Sequence, residues 1–215
     1  DLRILAGEGI LGLEAACASL TESGDRVLVL DNGIFGHGFA EFVELYGGQA
    51  LLLQSSEKED FDIEILEKFL EKDHDFKYAT IVHCDTPSGV LNDLSKICPL
   101  LKKYGILTVV DSVAAMGGED LQVDNWQIDI ALGGSQKVLS APPGLTIVSI
   151  SPLAYQAMEN RQSPIASFYC NLLTFKDYYE KKWFPYTMPI SDIYGLDQAV
   201  DNILFDQEIL KRHAM

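Results

Sequence analysis

Tyr78-Ala-Thr-Ile-Val-His83 and Ile106-Leu-Thr-Val-Val-Asp111 are two apolar runs separated by Leu94 to Tyr104, a segment of helical character that Gly105 is placed to end. A strand, a helix and a second strand in that order form the unit of a parallel sheet. Arg26-Val-Leu-Val-Leu-Asp31, Ala50-Leu-Leu-Leu-Gln54 and Leu145-Thr-Ile-Val-Ser-Ile150 repeat the strand pattern. Each run is continuous rather than alternating, which suits strands covered on both faces. Between 62 and 72, Ile63, Leu66, Phe69 and Leu70 fall on one helical face with Glu and Lys opposite. A third helix, Ile10 to Leu20, follows Gly7-Glu8-Gly9, and Ser191 is placed to cap a fourth running through Leu210. Pro99 either kinks its helix or moves the start. The expectation is an α/β fold, a mostly parallel central sheet with helices on both faces, in one domain without repeats or linkers.

The composition narrows the function classes. The 215 residues hold 16 Lys+Arg against 32 Asp+Glu, a formal charge of −16, which works against nucleic acid or an anionic membrane as partner. No apolar run approaches the length of a bilayer span. Cys17, Cys84, Cys98 and Cys170 are scattered, with no metal-ligand spacing, and read as buried free thiols. The missing targeting signals lead to an expected cytoplasmic location. Asp1 and Lys211-Arg212-His213-Ala214-Met215 lack opening and closing elements, so residues 1–215 are expected to be the large domain of a longer chain.

In open parallel sheets, ligands sit beyond the carboxyl ends of the strands. Four loops there carry chemistry. Gly7-Glu8-Gly9-Ile10 runs into a helix, and free N–H groups at a helix start can hold an anion; as a bare motif it is also an ordinary turn, and it lacks the dinucleotide glycine pattern. Asp85-Thr86-Pro87-Ser88-Gly89 is a turn by composition, with the Thr86 hydroxyl available to the crevice. Asp111 ends an apolar strand, where a carboxylate is costly unless paired; it either caps the next segment or works in a site. Lys137 follows Asp129-Ile-Ala-Leu-Gly-Gly-Ser-Gln, amid small residues where burial favours the neutral, nucleophilic amine. Lysine, strand-end carboxylate and anion cradle are together what pyridoxal phosphate asks of a protein: a Schiff-base amine, a partner for the ring nitrogen and a phosphate seat.

The stretches Gly9-Ile-Leu-Gly-Leu-Glu-Ala-Ala16, Asn32-Gly-Ile-Phe-Gly36, Thr86-Pro-Ser-Gly-Val-Leu91, Val110-Asp-Ser-Val-Ala114 and Gly134-Ser-Gln-Lys-Val-Leu-Ser-Ala-Pro-Pro-Gly144 resemble the class V aminotransferases of fold type I. Within them the likeness is to the alanine:glyoxylate and serine:pyruvate group, from about Gly7 to Pro189. The resemblance implies pyridoxal 5'-phosphate as cofactor and amino transfer from alanine or serine to glyoxylate or pyruvate. It makes Lys137 the cofactor lysine and Asp111 the partner of the ring nitrogen. Val113 and Phe35 would pack on opposite ring faces, Thr86 would lie near the ring oxygen, and Gly9, Ile10 and Gln136 would contact the phosphate. Thr187 would reach the partner's phosphate across a homodimer. Relatives carry Tyr where Phe184 stands, and Tyr186 is the one nearby hydroxyl that could substitute.

The N-terminal segment and the small C-terminal domain, which supplies the arginine for the substrate carboxylate, are expected to be missing; Arg3, Arg26, Arg161 and Arg212 sit in no matching motif. Lyases and desulfurases share this fold but commonly place His before the lysine, where Gln136 stands. A non-catalytic remnant of the fold and a nicotinamide-binding domain are the remaining alternatives. His83 and Cys84 read as crevice lining, and the aromatic residues of 168–184 as a dimer surface or core edge.

Overall fold

The computed structural model describes residues 1–206 of the chain. Its elements run β1 (Leu2–Ala6), α1 (Gly9–Leu20), β2 (Arg26–Asp31), α2 (Ile34–Leu45), β3 (Gln49–Gln54), α3 (Ile63–Leu70) and β4 (Tyr78–Val82), then α4 (Leu94–Lys103), β5 (Leu107–Asp111), β6 (Ile130–Gly134), β7 (Leu145–Ile150), α5 (Pro152–Glu159) and α6 (Ile190–Phe205). One seven-stranded sheet has the order β1-β7-β6-β5-β4-β2-β3. From β3 through β6 every neighbouring pair is parallel, and β7 is antiparallel to both β6 and β1. The sheet is therefore mostly parallel, as the strand pattern implies.

Continuous apolar strands follow from having a core on each face. In β2, Val27 and Val29 enter one apolar layer while Leu28 and Leu30 enter the other. The first layer takes Leu13, Ala16 and Cys17 of α1 with Phe39 and Val43 of α2; the second takes Leu66 and Leu70 of α3 with Ile97 and Leu101 of α4. All of β4, Tyr-Ala-Thr-Ile-Val, is buried. β3 departs from the expectation: it ends the sheet, so Ala50 to Leu53 are only half-buried. β1, the opposite edge, carries no sequence signal strong enough to single it out.

Local signals hold where the chemistry is local. Asp62 caps α3, its carboxylate accepting from the Glu64 and Ile65 N–H groups at 2.8 and 3.2 Å. α4 stops at Gly105, whose φ of +75° permits the left-handed closing turn, with Gly105 N–H donating to Lys102 and Ile106 N–H to Leu101. α4 runs through Pro99 without moving its start. Ser191, by contrast, lies inside the first turn of α6: the Pro189 carbonyl takes the first helical hydrogen bonds and no side chain caps it. That helix ends at Phe205, and Leu210 lies outside the described residues. α6 packs Leu196 and Ala199 on Leu139, Ala141 and Leu145. Among the described residues no helix is long and apolar enough to cross a membrane. Cys17, Cys98 and Cys170 are buried free thiols, and burial pushes Cys17 up to about 12.

Candidate active site

Register brings the strand ends together. Val82 pairs with Asp111 and Asp111 with Leu132, so the loops leaving β4, β5 and β6 start side by side. With the first turn of α1 they enclose a cavity of about 300 Å³. Gly9, Ile10, Phe35, Thr86, Asp111, Val113, Gln136 and Lys137, residues drawn from five separate stretches of chain, all line it.

Asp111 is 5% exposed, and its Oδ1 accepts from the Val113 N–H at 2.9 Å. Burial pushes its carboxyl up to about 6; the Val113 N–H and Lys137 pull it down, while Asp85 and Glu8 add to the rise. Lys137 is half-buried at the end of a loop pinned by Ser135, whose hydroxyl donates to the Pro142 carbonyl at 2.6 Å. Val113 forms part of the floor against α1: a Cβ on Gly9 would stand 2.7 Å from its methyl group, so only glycine lets the helix start approach this closely.

The cradle at the start of α1 is already engaged by an acid of its own chain. Glu8 caps the helix, its Oε1 accepting from the Ile10 N–H at 3.2 Å and its Oε2 from the Gln136 amide at 3.2 Å. Two of the three residues expected to face a phosphate, Ile10 and Gln136, are thus engaged by one carboxylate. Glutamate lies outside the usual Ser, Thr, Asp and Asn caps, so no capping signal marks Glu8 for this role. Leu13 and Ala114 complete the wall with Cys84, which lines the crevice as expected but is only half-buried rather than a buried thiol.

His83 lies buried behind the cavity, its Nδ1 3.0 Å from the Ser112 hydroxyl and its ring edge-on to Trp126. Burial lowers its pKa to about 4, so the ring is neutral near pH 7. His37 instead faces a neighbouring cavity of about 470 Å³ and pairs with Asp31 at 3.0 Å. Thr187 is exposed and does not line the cavity. Tyr186 stacks on Tyr169 at 4.5 Å and meets Phe175 edge-on, so it belongs to the core edge and does not line this cavity. The aromatic segment is divided: Phe175 is buried, while Phe168, Tyr169, Tyr179, Trp183 and Phe184 are exposed.

No arginine of the described residues lines the cavity. Arg26 binds Asp73, Arg161 donates to the Ser19 and Thr21 carbonyls, and Arg3 pairs with Asp1. Arg212 lies outside the described residues.

The donor set suits pyridoxal phosphate. A buried carboxylate whose one hydrogen bond is a backbone N–H has capacity left for a protonated ring nitrogen. A primary amine, an aromatic ring, a valine and a helix start stand around the same volume.

The match to known proteins agrees with that chemistry. The family model for aminotransferase class-V covers residues 9–214. An uncharacterized aminotransferase of Methanocaldococcus jannaschii is 35% identical over 99% of this chain and 56% of its own length. A pyridoxamine–pyruvate transaminase of Mesorhizobium japonicum is 35% identical over 99% of this chain and 55% of its own. The crystal structure of ureidoglycine-glyoxylate aminotransferase from Bacillus subtilis superposes with a TM-score of 0.92 at 31% identity, covering 100% of this chain and 55% of that one. The chain spans about half the length of the curated relatives it matches. With its motifs gathered on one cavity and the family model matching nearly its whole length, the chain belongs to the class V aminotransferases, a family whose cofactor is pyridoxal 5'-phosphate.

Proposed function

We propose that this chain is the cofactor-binding large domain of a transaminase that moves an amino group from a small amino acid, alanine or serine, to a 2-oxo acid, glyoxylate or pyruvate. The observation that carries the reading is the meeting of Asp111, Lys137, Phe35, Val113 and the start of α1 on one cavity. When bound, pyridoxal phosphate supplies an electron sink for charge developing at the substrate's α-carbon.

The chain's own residues then have separable tasks. Asp111 holds the proton on the ring nitrogen. The Lys137 amine first binds the cofactor, then carries a proton to and from the α-carbon as general base and acid. Phe35 and Val113 would hold the ring between them, Thr86 would lie near its oxygen substituent, and Gly9, Ile10 and Gln136 would receive the phosphate if Glu8 yields its two donors. Relatives named for pyruvate and glyoxylate transfer favour this reaction over elimination.

The reading includes a homodimer in which Thr187 serves the partner's phosphate; its exposure away from its own cavity and the exposed aromatic surface nearby support that arrangement. The substrate-carboxylate arginine then comes from outside the described residues, since none of theirs lines the site.

The test is a half-reaction on the full-length protein. Alanine or serine should convert the cofactor's visible band to that of the amine form, and glyoxylate or pyruvate should restore it. Lys137→Ala should lose the band of the lysine-bound cofactor and turnover together. A variant that kept both would refute the assignment.

A further inference from the structure

Asp85 is one of the most buried carboxylates of the protein, 1% exposed, and lies one residue before Thr86. Its backbone closes the loop after β4, with Asp85 N–H donating to Val90 at 3.0 Å and Gly89 N–H donating to Asp85 at 2.8 Å. Its carboxylate does something else. Oδ2 accepts from the Ser88 N–H at 3.2 Å and the Ser88 hydroxyl at 2.8 Å, while Oδ1 reaches across to the Phe35 N–H at 3.4 Å.

That last contact lies at the second residue of α2, a helix with no side-chain cap of its own. A carboxylate from another loop stands where the capping acid is missing, and the partial positive charge of the helix start favours it there. Gly33 records how closely the loops approach. Its backbone is extended, with φ of 172°, so any residue could adopt it; yet a Cβ there would stand 2.5 Å from the Asp85 carboxyl carbon. The obstacle to a side chain at 33 is therefore Asp85.

Phe35 and Thr86 are the cavity residues on the two loops so joined. β2 and β4 are neighbours in the sheet, but strand pairing ends before either loop, so another contact must set the separation of the cavity walls. We propose that Asp85 is a positioning residue for the cofactor: by clasping the loop of Gly33 to Phe35 against the loop of Thr86 to Ser88, it sets the distance between the ring-stacking face and the Thr86 hydroxyl. The inference rests on the cofactor reading above.

The test uses the full-length protein, Asp85→Ala, Gly33→Ala, their double variant and Ser88→Ala. It reads the dissociation constant for pyridoxal phosphate, the visible circular dichroism of the bound cofactor and thermal stability. Asp85→Ala should weaken binding by about tenfold to a hundredfold, the scale of losing a charge-assisted buried hydrogen-bond group, and reduce the dichroic band. Gly33→Ala should reproduce both effects by pushing the carboxylate aside, and the double variant should be no worse than Asp85→Ala alone, because the obstacle is gone. Ser88→Ala, which removes one of the carboxylate's donors, should give a smaller shift of the same kind in a folded protein. Unchanged affinity and dichroism in Gly33→Ala and Ser88→Ala, or fully additive losses in the double variant, overturn the clasp. Wild-type protein that takes up no pyridoxal phosphate overturns the cofactor reading and the clasp with it.

Discussion

Asp111 carries a cost in stability at the place where the proposed function needs a carboxylate. Its folded carboxyl titrates near 6 against an ordinary 3.8, because burial penalises the charge. The folded state then binds more protons than the unfolded state between those values, so this group makes stability fall as pH rises from about 4 to about 6. Two units correspond to about 3 kcal/mol. His83 acts in the opposite sense: its value of about 4, depressed from 6.5 by burial, makes stability rise over much of the same window. The wild-type profile is their sum, so the comparison must be with Asp111→Asn. In cofactor-free protein that variant should melt higher at pH 7 and converge with wild type near pH 4, and with pyridoxal phosphate added it should lack the transaminase turnover that wild type shows. Superimposable melting curves across pH 4 to 7 would remove burial of the charge as the cause.

At the scale of elements, α1 begins at the proposed anion cradle, and Glu8 occupies two of its donors. A carboxylate there repels a phosphate and must release Ile10 N–H and Gln136 for it to bind. Glu8→Gln keeps an acceptor for the helix start and removes the charge. Pyridoxal phosphate should then bind about fivefold tighter, the effect of relieving ~1 kcal/mol of like-charge repulsion. Weaker binding on fluorescence titration would instead make Glu8 part of the cradle. Elements also show where sequence signals reach their limit. Asp62 and Gly105 act within one helical turn of themselves, and α3 and α4 start or stop where those residues require. The start of α6 answers to the carbonyl of Pro189 and to packing on Leu139 and Leu145, so the hydroxyl of Ser191 does not mark it.

For the molecule as a whole, the layers are tied by a buried charge. Asp129, 3% exposed at the start of β6, accepts from Lys102 of α4 at 2.8 Å, from the Thr108 N–H of β5 at 2.9 Å and from the Ser151 hydroxyl before α5 at 2.9 Å. Lys102→Met leaves that carboxylate without its cation and should cost about 3 kcal/mol. The melting temperature should drop by roughly 10 °C, with cofactor affinity at permissive temperature unchanged, because Lys102 lines no part of the site. A drop of a degree or less in calorimetry would mean that the neutral donors suffice for Asp129.

Residues 78–111 read alone determine a strand, a helix and a parallel strand, since continuous apolar runs are stable only between two helical layers, and β2 divides its alternate side chains between both. The motifs around Lys137 and Asp111 likewise point to the proposed cofactor chemistry, because amine and carboxylate are properties of residue type and of strand-end position. Edges and contacts between distant loops were decided only by the folded chain. The partial exposure of β3 follows from its place at the end of the sheet, and Asp85 reads as a plain turn residue until strand pairing brings Gly33 and Phe35 against it. Sequence spacing encodes what a residue does within its own turn or strand; what it meets across the sheet is set by packing, which no local pattern records.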